Sequence, residues 1–298
     1  MRIVILAHNQ DRHYYFCNQV IKGTNNVVGI ITGAKTNNNT KAKIEKLKKL
    51  AKSNNLLKYL KNKFLNFLFR KYGKAFNEEK DSIEHIFFNG EENFFFQHYS
   101  HLLIAEVKSQ HFGINDPYYV SLIQECKPDI ILVMGAGKIG KKITESAKHV
   151  INLHMGLSPY YKGAYTNAWP IIDECPNMFG VTIHEISSSI DAGNIIFTNQ
   201  PNLTKEDNYG TINSKCIKLG TEKVIESIKN IENNSYSSIK QWASGRFFFN
   251  KDWNNFFAYL YFKKKKKIIL KSIENAEKQT MPKINLVSNG SKYDLSDI

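Results

Sequence analysis

The chain has 298 residues, 42% of them hydrophobic and 12% aromatic, enough for one large buried core or one domain with an appendage. No apolar run is long enough to span a bilayer, and Cys17, Cys126, Cys175 and Cys216 lie far apart without a CxxC pair, which speaks against a disulfide scaffold or a structural zinc site. The net charge of +14 suits an anionic partner such as a nucleotide, a nucleic acid or a membrane face, although lysines spread over solvated helix faces produce the same excess.

Residues 2–7 (RIVILA) and 27–32 (VVGIIT) are short apolar runs with polar flanks, and residues 13–21 between them supply an aromatic and aliphatic helix face. That order is a βαβ start. The first run resembles a signal peptide only superficially, because it is short and no small-residue cleavage site follows; it reads as a strand, and the protein as cytoplasmic. No GxGxxG comes after it, so the dinucleotide fingerprint is absent. From about residue 35 to 99 the rhythm breaks. Twelve basic residues and one acid, Glu45, fall between Lys41 and Lys74, and Leu57, Leu60, Phe64, Phe67 and Leu68 recur at helical spacing. Such a stripe is expected to dock on its own protein; the alternative is a membrane surface or a partner. The phenylalanines at 87, 88 and 94–96 make the block too aromatic for a free linker, so it reads as an insertion packed on the first half of a sheet.

Regular order resumes with a strand at 102–107 and a helix at 116–126, capped by Asp116 with Pro117 at its first position. Residues 130–134 (IILVM) form the clearest buried strand, of the kind found in parallel sheets covered on both faces. It ends in GAGKIG at 135–140, and a glycine-rich turn at the carboxyl end of a central strand is where open α/β sheets bind ligands. A lysine-rich helix at 141–148 leads to a strand at 150–153 that stops in Asn-Leu-His. A strand at 180–186 and a turn then deliver Asp191, followed by a strand at 195–198 and a helix at 207–231. Beyond residue 235 the tail carries aromatic clusters and five consecutive lysines from Lys263 to Lys267, with no convincing series of strands.

Alternation along a strand puts Asn152 and His154 on one face. An imidazole exchanges protons near neutrality, an amide N–H donates to an oxygen that gains charge, and a carboxylate orients the imidazole and raises its pKa. Asn152, His154 and Asp191 therefore match the needs of acyl or formyl transfer to an amine. Singly, each has a plainer reading: a packed structural histidine, a turn-capping asparagine and an Asx turn. No GxSxG elbow accompanies them, and His154, His184 and Asp191 match no strong metal pattern.

Several short motifs occur in one order: the strand after Lys127-Pro128-Asp129, then NLHMGLSPYYKG at 152–163, Trp169-Pro170, GVTIH at 180–184 and DAGNI at 191–195. Together they resemble the core signature of the folate-dependent formyltransferases, which move a formyl group from N10-formyltetrahydrofolate to an amine. The likeness covers residues 101–200 well and 1–34 loosely. It implies an α/β, Rossmann-like, mostly parallel sheet over residues 1–231, with a helical and aromatic insertion at about 35–100 and a C-terminal extension over 232–298. By that resemblance Asn152 holds the oxyanion, His154 handles the proton or polarises the formyl oxygen, and Asp191 orients His154. Met134, Gly135, Ala136, Gly137, Lys138, Ile139, Ser189 and Ile190 would line the folate side, and no metal is implied. Ser158, Pro159, Tyr160, Tyr161, Lys162, Gly163, Asn167 and Trp169 would face the acceptor. Lys162 stands where the family usually has arginine, which keeps the charge and loses the planar fork. The serines at 187–189 carry little pterin signal.

Three acceptors compete within that family. The insertion and tail argue against glycinamide ribonucleotide, whose enzymes are compact. Methionyl-tRNA suits the basic charge, but the tail lacks the strands of a barrel-like tRNA domain. The expectation is the amine of a nucleotide-linked amino sugar of the kind used in surface polysaccharides, with aromatic and basic residues of insertion or tail holding base and pyrophosphate. The tail is also a place for a homodimer contact. The non-enzymatic alternative is a binding module of the same fold, on nucleic acid through the basic stretches.

Overall fold

The structure is a computed structural model and describes residues 1–33, 56–107, 113–187, 191–278, 280 and 284–294. Strand β1 (Ile3–His8), helix α1 (Asp11–Thr24) and strand β2 (Val27–Gly33) form the opening βαβ unit, its strands parallel and almost wholly buried. The described part of the insertion is helical: α2 (Leu56–Leu68), α3 (Arg70–Phe88) and α4 (Glu91–His98). Strand β3 (Leu103–Val107) pairs with β2. Helix α5 (Pro117–Glu125) starts where the Asp116 carboxylate accepts the Tyr118 N–H, with proline in its first turn where a missing N–H does no harm. Strand β4 (Ile130–Met134) then crosses to the other side of β1. After the short α6 (Lys141–Thr144) come β5 (His149–Met155), β6 (Tyr161–Gly163), α7 (Trp169–Ile172), β7 (Val181–Glu185) and β8 (Ile195–Asn199). Helix α8 (Tyr209–Glu232) follows, then β9 (Arg246–Phe248), α9 (Asn255–Glu277) and the hairpin β10 (Asn285–Ser288) and β11 (Ser291–Asp294).

Seven strands make one sheet in the order β3-β2-β1-β4-β5-β7-β8. The five from β3 to β5 are parallel; β7 and β8 are antiparallel additions. The chain steps outward from β1 to β2 and β3, then restarts at β4 beside β1. The order reverses there, and connections leave in opposite directions from adjacent carboxyl ends, which opens a crevice.

The lysine-rich segment after residue 140 is helical for one turn only. Thr144 Oγ1 and Ser146 Oγ donate to the carbonyls of Lys141 and Lys142, an alternative to helix hydrogen bonding that short hydroxyl residues offer. The tail is more ordered than its sequence suggests, with a helix of 23 residues and three short strands. Helix α9 begins where the Asn254 side chain accepts two backbone N–H groups, and its lysine run is not a free cationic patch: Lys264 and Lys267 pair with Glu174, and Lys265 with Glu79. Ala258, Tyr261, Ile268 and Ile269 of α9 share one hydrophobic core with Phe76, Phe88 and Phe95 of the insertion and with Ile212 and Ile217 of α8. Helix α9 of the extension is thus packed into the core of residues 1–231. The described part of the insertion lies on α1, α8 and α9. Its apolar stripe departs from the expectation of docking: Leu57, Leu60, Phe64, Phe67 and Leu68 are exposed, because Asn62 and Asn66 on the opposite side of α2 hydrogen-bond Asn254 and Asn255.

Candidate functional site

Strand β5 carries Asn152 and His154, and antiparallel pairing sets His184 of β7 directly opposite Asn152. The Asn152 Nδ2 donates to His184 Nε2 at 3.1 Å, while His184 Nδ1 donates to the Glu185 carbonyl at 2.7 Å. These two bonds are mutually consistent: the carbonyl holds the proton on Nδ1 and leaves a lone pair on Nε2 for the amide. The second Nδ2 hydrogen of Asn152 remains for a ligand atom. His184 belongs to the GVTIH motif, and its position opposite Asn152 needed the β5–β7 register.

Asp191 enters from a turn, with φ at +50°, a left-handed conformation that aspartate tolerates better than most residues. Gln241 of the tail fixes that turn by donating to the Asp191 and Gly193 carbonyls at 2.8 and 2.9 Å. Only glycine fits at 193, since a Cβ would fall 1.7 Å from the Glu185 carbonyl oxygen. Asp191 Oδ2 accepts the Gly163 N–H at 2.9 Å and lies 3.4 Å from His154 Nδ1, while Oδ1 lies 3.5 Å from His184 Nε2. Gly163 in turn pairs with Phe248 of β9, and a side chain there would strike the Phe248 carbonyl.

His154 is 6% exposed, and its Nε2 lies 3.2 Å from the Tyr161 carbonyl oxygen as its Nδ1 faces Asp191. Both ring nitrogens therefore face acceptors. A neutral ring satisfies one of them, and a protonated ring satisfies both. Burial lowers its pKa below the ordinary histidine value, against the upward pull of Asp191 and aided by His184. The expectation that the carboxylate raises this pKa is outweighed by desolvation. Burial also pushes Asp191 up, but the His154 and His184 imidazoles and the Gly163 N–H more than offset it and hold the carboxyl well below the usual carboxylate range. At neutral pH the pair is a carboxylate beside a neutral imidazole poised to accept a proton.

The cluster opens into a cavity of about 620 Å³, within the range of about 300–1,000 Å³ usual for small-molecule sites. Met134, Gly135, Ala136, Gly137 and Lys138 line it at the carboxyl end of β4, with Asn152, His154, Gly163 and Asp191 beside them. Ile139 turns instead into the core on the other face of the sheet with Ile143 and Val133. Ser189 and Ile190 lie outside the described residues. Of the residues expected beside an acceptor, Gly163 alone lines the cavity. Asn167 is a core tie, exchanging hydrogen bonds with the backbone of Gly180 and donating to Asn213. Trp169 stacks on Phe248 at 4.3 Å and donates to the Ala164 carbonyl. Tyr161 is buried with its hydroxyl on Asp173, Lys162 is buried, and Tyr160 bonds the backbone of Asn285. Ser158 donates its N–H to Thr182, and a cis peptide bond joins it to Pro159.

The rest of the lining comes from α1, from the insertion and from the tail. It includes Arg12, which pairs with Glu84, together with His13, Lys80 and residues 247–250. Phe247 and Phe249 are exposed and pack edge to face at 4.8 Å. Among the described residues no group of three His, Cys, Asp or Glu side chains is disposed to hold a metal ion, and no helix is long and apolar enough to cross a membrane.

The α/β sheet thus brings an Asn-His-Asp cluster to the cavity. The family model described as formyl transferase matches residues 74–228, more than half of the chain, and the chain belongs to that family. It is 33% identical over 117 residues to a methionyl-tRNA formyltransferase of Thermodesulfovibrio yellowstonii, a match covering 39% of this chain and 38% of that one. The chain thus spans about two fifths of that relative's length. Among solved structures, a 4-N formyltransferase from Francisella tularensis shares the fold over 99% of this chain and 96% of its own, with a TM-score of 0.53 at 16% identity. WlaRD, a sugar 3N-formyl transferase solved in the presence of dTDP and 5-N-formyl-THF, does so over 96% and 83%, with a TM-score of 0.50 at 20% identity.

Proposed function

We propose that this protein is a cytoplasmic N-formyltransferase that carries a formyl group from N10-formyltetrahydrofolate to the amine of a nucleotide-linked amino sugar. One observation carries the reading: Asn152, His154 and Asp191 converge on the floor of a cavity whose adjoining wall is the 134–138 turn. That wall suits a pterin, because Met134 and Met155 give it apolar surface and the turn offers backbone groups at its rim. Bound there, the folate would supply the formyl carbon. Asn152 would donate to the formyl oxygen as it gains charge, a contribution of roughly 3–4 kcal/mol for one such donor. His154, neutral at rest, would take the proton that the amine must lose, and Asp191 at 3.4 Å would stabilise the imidazolium. In this reading residues 1–231 are the catalytic unit, and the extension completes the acceptor wall through Phe247 and Phe249, together with Arg12 and Lys80. Aromatic faces and cations are what a base and a pyrophosphate require.

Similarity to methionyl-tRNA formyltransferases supports a second reading, formylation of a charged initiator tRNA. The test is to supply N10-formyltetrahydrofolate with a panel of nucleotide-linked amino sugars or with charged initiator tRNA, and to follow tetrahydrofolate release. Release with an amino sugar and none with tRNA is expected. Release with tRNA alone would move the assignment to the second reading, and no release with any acceptor would leave a non-catalytic binding module.

A further inference from the structure

We infer that helix α2 is a mount for an anionic membrane surface. The helix is 13 residues, about 20 Å long, far short of a bilayer-spanning segment. Its side chains are arranged in reverse of an ordinary docked helix. Asn62 and Asn66 face the protein, where Asn62 Oδ1 accepts from the Asn254 side chain and Asn66 accepts from the Asn255 N–H at 2.8 Å and from its side chain at 2.7 Å. Lys58 adds an ion pair to Asp252 at 3.6 Å. The opposite side carries Leu57, Leu60, Phe64, Phe67 and Leu68 at helical spacing, between 51% and 81% exposed. A continuous apolar stripe held outward by polar bonds on its back is a surface built to be covered.

Charge selects the occupant. From residue 56 to 74 there is no acid, and Lys61, Lys63, Arg70 and Lys71 have no carboxylate partner among the described residues. An apolar stripe flanked by basic side chains is the pattern of a helix lying in a lipid headgroup layer, where leucine and phenylalanine enter the acyl boundary and lysines meet anionic lipids. A second copy of this chain fits less well. A two-fold contact through this face would bring the same cations of both copies together. An RNA would answer the lysines but give the phenylalanines and leucines no apolar surface to enter.

The full-length protein, without substrates, should co-sediment with vesicles of phosphatidylserine and phosphatidylcholine in equal parts. It should bind pure phosphatidylcholine vesicles at least about tenfold more weakly, and lose the difference in high salt. Phe64→Ser with Phe67→Ser, and separately Lys61→Glu with Lys63→Glu, should each weaken binding to the mixed vesicles about tenfold or more. Both pairs are exposed side chains that do not line the cavity, so circular dichroism and the thermal midpoint should match the unaltered protein. Failure of the unaltered protein to bind the mixed vesicles would overturn the inference. So would a concentration-dependent dimer that Phe64→Ser with Phe67→Ser dissolves, or attachment to RNA that ignores that pair and responds only to the lysine reversals.

Discussion

The floor and the mouth of the cavity are made from opposite kinds of chain. The floor comes from one contiguous stretch, in which two adjacent strands and a turn bring Asn152, His154, His184 and Asp191 together, all but Asn152 nearly sealed from water. The mouth is assembled from Arg12, from Lys80 and Glu84 of the insertion, and from residues 247–250 of the tail, with Phe247 and Phe249 exposed. A sealed floor fixes proton positions and suits a step common to a whole family. An open mouth that draws on α1, the insertion and the tail offers aromatic and cationic side chains to an entering acceptor. Under the proposed function the transfer and its specificity are thus separable in this chain.

That separation can be broken from either side. The largest effect is expected at the floor: His154→Ala should lower kcat by about 10²–10⁴-fold, and Asn152→Ala by about 10²–10³-fold, in a tetrahydrofolate-release assay with folate affinity retained. Asp191→Asn should cost less, about 10–100-fold, since it removes the partner of the imidazolium and leaves the base in place. The same residue sets a pH signature. His154 must be neutral to accept a proton, and burial lowers its pKa. The rate should therefore survive below the ordinary histidine value of about 6.5 and fall only as pH drops through the lowered one. In Asp191→Asn the upward pull is gone, so the acidic limb of the rate profile should move to still lower pH. At the mouth, Phe247→Ala and Phe249→Ala should raise the acceptor KM by roughly tenfold each and leave kcat nearly unchanged. The smallest effect is expected away from both. Tyr261 bridges Glu79 of the insertion and the Tyr209 N–H, so Tyr261→Phe should lower stability by about 1–2 kcal/mol in denaturant titration without altering kinetics.

The two regions also differed in how far the sequence revealed them. The IILVM strand, its glycine turn and the Asn-Leu-His ending were readable because period-two burial and residue chemistry are local properties. His184 was visible as a motif residue, but its bond to Asn152 depends on strand register. Phe247 and Phe249 reach the cavity because β9 pairs with β6, more than eighty residues earlier in the chain, and no local pattern announces that. Asn167 and Trp169 look like ligand-facing residues by type and proximity, yet the fold turns both inward. The lysine run from Lys263 to Lys267 looked like a free patch, and Glu79 and Glu174 answer three of its charges.

Single-turnover formyl transfer by His154→Ala, measured beside folate binding by the same preparation, tests the account most directly. Loss of transfer with folate still bound is the predicted result. Transfer at the rate of the unaltered protein would contradict the claim that this buried floor performs the chemistry.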